Sequence, residues 1–149
     1  MNKSIMCIDP GASGGIAVWP FACLAEAHPM PEGMTAQIDL IRAIAAAHPG
    51  IEATIENVGG YMPGNSGPAA CKFSRHVGHL ETALYCAGIP TTKVAPQTWM
   101  KALGTVPKDK AERKNFIKEY VARRFPHIAV TLKTSDALGM LVWARGNIQ

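Results

Sequence analysis

The feature that most limits what this chain can become lies near its start, where four apolar residues in a row, Ile5-Met6-Cys7-Ile8, stop abruptly at Asp9-Pro10-Gly11. A strand with one wet face alternates apolar and polar side chains, whereas an unbroken apolar strand is covered on both faces. Such a strand calls for a layered fold with helices packed on a sheet. The material is there: 149 residues, 48% of them apolar and only 17% charged, enough for one buried core and too little charge for disorder.

The rest of the pattern agrees. Gly14-Gly15 punctuates a turn, and Ile16–Trp19 and Ala22–Ala27 read as two short strands parted by Pro20, so that the first three strands form an antiparallel meander. Thr35–His48 has helical spacing, with Thr35 as its cap and Pro49-Gly50 as its stop. Ile51–Glu56 is a strand, and the Gly- and Pro-broken stretch from Asn57 to Gly67 is a loop. Ala69–Ala87 is the most regular helix: Phe73, Val77, Leu80 and Leu84 share one face, while Lys72, Arg75, His76 and His79 recur on another. Ile89–Val94 is a strand, Lys108–Phe125 a charged amphipathic helix, and a last helix runs from about Ser135, with Ala137–Ala144 apolar on nearly every side. The order β-β-β-α-β-α-β-α-α predicts an α/β fold in one domain, with one mixed sheet and helices against it.

Several classes fall away. The apolar run Ile5–Ile8 is too short for a signal-peptide core and no stretch approaches the roughly 18 residues of a membrane span, so a cytoplasmic protein without membrane contact is expected. Cys7, Cys23, Cys71 and Cys86 are far apart with no C-x-x-C pair, which predicts reduced, mostly buried thiols rather than a zinc site. The net charge of +4 admits a phosphate-bearing partner without requiring one.

Three acids stand where an acid has no obvious structural use. Asp9 ends the first strand, Glu56 ends another, and Asp136 opens an apolar helix after Thr134-Ser135. Strand ends and helix starts of this kind gather at one edge of an α/β sheet. Three ionised carboxylates in one place need a counter-charge, and hard oxygen donors without His or Cys suit Mg²⁺ or Mn²⁺. Singly, each has a plainer reading: a turn for Asp9, an exposed strand end for Glu56, a helix cap for Asp136.

In combination the segments are less generic. IDPGASGGIAVW resembles the first motif of the RuvC-like Holliday-junction resolvases of the ribonuclease H-like superfamily. The resemblance continues through TIENVGG, the helix FSRHVGHLETALYCAGIP, the turn VAPQTWMKALG and the final SDALGMLVWAR, nearly the whole chain, and is greatest to the small phage and prophage branch. It implies a five-stranded mixed sheet flanked by helices and a homodimer, with Asp9, Glu56 and Asp136 as catalytic metal ligands. One position departs from the family pattern. Where another acid or a histidine commonly precedes the last Asp by a helical turn, this chain has Lys133, either a contact to the scissile phosphate or a solvated loop lysine.

The expected chemistry is Mg²⁺-dependent hydrolysis of branched DNA, with two metals about 3.5–4 Å apart activating water and the leaving oxygen, and the resemblance implies 5′-phosphate and 3′-hydroxyl ends. The DNA contacts would be Lys72, Arg75, His76 and His79 on their helix, with Lys93, Lys101, Lys108, Lys110, Arg113 and Lys114 as further candidates. Tyr61 and Met62, at the tip of the Gly/Pro loop, would either wedge against bases at a crossover or fold over the protein itself. Phe73, Val77, Leu80 and Leu84 would form either a dimer seam or packing on the sheet. Rival readings are a non-cleaving junction-binding protein, a nuclease for flaps or RNA–DNA hybrids, and an actin-like ATPase or sugar kinase. The last needs two phosphate-binding domains and a second Gly-rich loop, neither of which is present, so no nucleotide cofactor is expected.

Overall fold

The computed structural model describes residues 3–59, 64 and 66–147. Its elements in chain order are β1 (Ile5–Asp9), β2 (Gly15–Trp19), β3 (Glu26–Pro29), α1 (Met34–Ala47), β4 (Glu52–Glu56), α2 (Gly67–Cys86), β5 (Thr91–Val94), α3 (Pro96–Met100) with a 3₁₀ turn at Lys101–Leu103, α4 (Lys110–Arg124) and α5 (Ser135–Asn147). The described strands form one sheet in the order β3-β2-β1-β4-β5. β1, β2 and β3 make the antiparallel meander, while β4 runs parallel to β1 and β5 parallel to β4.

β1 explains the architecture. Its side chains alternate between two apolar layers. Ile5 and Cys7 join the core beneath α3, α4 and α5, with Trp99, Ile117, Val121, Leu138 and Leu141. Met6 and Ile8 join the core beneath α1 and α2, with Ile41, Ile44, Leu80 and Leu84. β4 shares the parity: Ala53 and Ile55 face α1 and α2, which leaves Thr54 and Glu56 for the opposite side.

Three expectations need correction. The third strand starts later than Ala22, because Cys23 N–H bonds the Pro20 carbonyl at 3.4 Å and Ala22 has φ of 62°, a turn rather than extended chain. Thr35 does not cap α1; Gly33 holds the cap position without a side-chain bond, and the helix begins at Met34. Only Cys7 is buried, while Cys23, Cys71 and Cys86 are exposed. Of the two readings of the apolar face of α2, packing on the sheet holds for Leu80 and Leu84, which are buried in this chain's own core with Val77 packed beside them. Among the described residues no helix is long and apolar enough to cross a membrane.

Candidate active site

Side-chain parity brings the first two acids together. Asp9 continues the Ile5, Cys7 series and Glu56 continues from Thr54, on adjacent parallel strands paired as far as Ile8↔Ile55. Both carboxyl groups therefore lie at the C-terminal end of the sheet, on the α5 side. Asp136 sits in the first turn of α5, which packs on β1 and β2.

The glycines of the first motif make this approach possible. Gly14 N–H bonds the Gly11 carbonyl at 3.0 Å, turning the chain back so tightly that a Cβ on Gly14 would collide with the Asp9 carbonyl. At Gly15 a Cβ would stand 2.7 Å from the Lys133 carbonyl, so the absence of a side chain lets the segment before α5 lie directly on β2. Thr134 and Ser135 are buried there, Thr131 N–H bonds Thr134 Oγ1 at 3.1 Å, and Ser135 Oγ lies 3.5 Å from Asp136 Oδ1.

The three acids feel one another. Burial, then the charges of Glu56 and Asp136, push the Asp9 carboxyl up to about 8, and its O–H donates a hydrogen bond to the Glu56 carboxylate. Burial also raises Glu56, opposed first by a hydrogen bond from Trp99, whose Nε1–H donates to Glu56 Oε1 at 2.8 Å. Asp136 is raised by burial and lowered by Lys114, Ser135 and Arg113. Among the described residues no three His, Cys, Asp or Glu side chains close on one point as a ready-made metal cage. Asp9 and Glu56 share a hydrogen bond, while Asp136 acts on both through its charge. The donor set nevertheless fits a hard cation: oxygen ligands alone, partly buried, with pKa values raised first by burial, and no sulfur or imidazole.

Lys114 is the cation that all three acids feel, a role the sequence did not single out from the other lysines of α4. Lys133 has an exposed side chain and contributes its carbonyl to the Gly15 contact. The expected basic stripe on α2 divides. Lys72 and Arg75 are exposed, but His76 Nε2 accepts the Gly11 N–H at 2.9 Å and His79 Nε2 bonds Gln37 Oε1. Burial favours neutral imidazoles at both, so these histidines fasten the Asp9 turn and α1 to α2 instead of forming a cationic surface. Lys101, Lys108 and Lys110 are exposed, Arg113 Nη1 donates to the Lys108 carbonyl at 3.0 Å, and Lys93 is paired with Glu81 at 2.6 Å. Tyr61 and Met62 lie outside the described residues.

Among solved structures, RuvC of Thermus thermophilus in complex with a Holliday junction substrate matches with a TM-score of 0.58, over 97% of this chain and 96% of that one, at 18% sequence identity. A second Thermus thermophilus RuvC structure matches with a TM-score of 0.55, over 96% of each chain, at 17% identity. The chain has the RuvC fold. No protein-family model matches the sequence, and no curated protein does. Asp9 and Glu56 sit at the ends of two adjacent parallel strands of this sheet.

Proposed function

We propose that this chain is a metal-dependent endonuclease that nicks branched DNA, four-way junctions foremost, leaving 5′-phosphate and 3′-hydroxyl ends. What supports the reading is that Asp9 and Glu56 end neighbouring parallel strands of a RuvC-type sheet and both feel the charge of Asp136. Asp9, Glu56 and Asp136 would hold Mg²⁺, or Mn²⁺ in its place, and the ion would supply charge neutralisation and an acidified water for phosphodiester hydrolysis. The protein's own part is to hold three carboxylates against their repulsion. Burial fixes them, the Trp99 and Ser135 donors orient two of them, and Lys114 relieves part of the field. Lys114 and Arg113 also place positive charge where a DNA phosphate would approach Asp136, and exposed Lys72, Arg75, Lys101, Lys108 and Lys110 extend the attraction. Tyr61 and Met62 remain proposed as a wedge at the crossover, and Lys133 as a phosphate contact.

A four-way junction is close to two-fold symmetric, so a homodimer with two such sites answers it, working in the cytoplasm of a bacterium or of a phage-infected cell. With Leu80 and Leu84 taken by the chain's own core, the α2 face open to a second copy is Cys71, Arg75, Gly78, Thr82 and Tyr85. Lys133, standing where the family usually has a further ligand, favours one alternative, a junction binder that does not cut. Labelled four-way junction, flap, duplex and RNA–DNA hybrid incubated with Mg²⁺, Mn²⁺ or chelator separate the readings. Paired nicks in the junction with Mg²⁺, abolished by Asp9→Asn in a folded protein, are expected. Tight binding with no nicking would establish the binder instead.

A further inference from the structure

Trp99 is fully buried, and its indole touches two of the three acid-bearing elements. Its Nε1–H reaches Glu56 Oε1 at 2.8 Å. The far edge of the ring lies on α5 at Gly139, where an added Cβ would stand 2.7 Å from Cζ3 and 3.4 Å from Cε3. Gly139 follows Asp136 by three residues, so the two are neighbours along one side of the helix. The ring arrives there by local necessity. Val94 pairs with Glu56 in the β4–β5 register, and Pro96 starts α3 two residues later, which carries Trp99 inward beneath Glu56.

One rigid ring thus runs from the Glu56 carboxylate to the backbone of the helix that bears Asp136. A glutamate at a strand end has several side-chain rotamers open to it, and a buried N–H donor selects among them. A small residue at position 139 lets the ring approach the helix axis, so the indole's width sets how far α5 stands from β4. We propose that Trp99 is a positioning residue that fixes both the orientation of Glu56 and its separation from Asp136. The role rests on the metal-centre reading above.

Trp99→Phe keeps a ring against Gly139 and removes the donor. Mn²⁺ affinity, measured by electron paramagnetic resonance without DNA, should fall about tenfold, at the low end of the 10–100-fold typical when an outer partner of a metal ligand is lost. Gly139→Ala, which displaces the ring but keeps the N–H, should weaken Mn²⁺ in the same direction. In the wild-type protein the indole N–H resonance that disappears in Trp99→Phe should shift on titration with Mg²⁺. Wild-type Mn²⁺ affinity in either folded variant, or an indole resonance indifferent to saturating Mg²⁺, overturns the proposal. Wild-type protein that binds no Mn²⁺ overturns the metal centre and this role with it, whereas binding without nicking leaves Trp99 in place and removes only the nuclease.

Discussion

Asp9 keeps its proton to about pH 8 because it is buried and faces Glu56 and Asp136, whereas in the unfolded chain it ionises near 3.8. Between those values the folded state holds a proton that the unfolded state has released, so its contribution to stability is full below the lower value and is lost as pH rises through the upper one. Asp9→Asn removes that dependence. Calorimetry should show the variant melting above wild type at pH 9 and close to it at pH 4; parallel curves would mean that the acids do not share a field. The three acids stand out in the sequence because Asp9 and Glu56 end strands and Asp136 opens an apolar helix, and it is their combination, not any one of them, that singles them out. Lys114 was not, since a flexible lysine in an amphipathic helix gives no sign of where its ammonium group ends. The histidines misled for the opposite reason: at helical spacing with Lys72 and Arg75 they resemble a cationic stripe, and only their neighbours, Gly11 and Gln37, show otherwise.

Helix α2 shows what pattern conveys about an element. Its apolar spacing located it to within two residues, and its start is fixed by Ser66, whose Oγ accepts the Ala69 N–H at 3.3 Å. Gly78 lies mid-helix on the open side, with nothing within 4 Å of an added Cβ. Gly78→Ala should therefore stabilise the isolated chain by about 0.5–1 kcal/mol through the lower backbone entropy of alanine. A lowered melting temperature would show that another surface packs closely at that point. β3 and α3 were harder to read. Phe21, Ala22 and Leu24 look like strand residues, yet Ala22 has a φ of 62° that no strand adopts, and Phe21 and Leu24 on either side of it are 51% and 71% exposed. α3 is too short for periodicity to reveal, and its meaning lies in a bond from Trp99 to a residue 43 positions away.

For the molecule as a whole, the unbroken apolar strand was enough to require two covering layers, and the structure supplies them on opposite faces of β1. The strand order was less accessible, because nothing local in β1 specifies that β4 lies parallel beside it. Resolution of a junction by paired cuts sets an expectation at this scale. Sedimentation with four-way junction DNA at micromolar protein should give two chains per junction, and affinity should fall steeply with added salt because phosphate contacts release counterions. A single chain per junction would remove the paired-cut reading while leaving nicking untouched.

The acid cluster draws on β1 and β4 from the first half of the chain and on α5 from beyond residue 134. During synthesis the first two carboxylates leave the ribosome long before the third. A centre that needs all three carboxylates cannot be complete until the helix at 135–147 has emerged and settled on β1 and β2. A half-translated copy carries two of its acids and lacks the third.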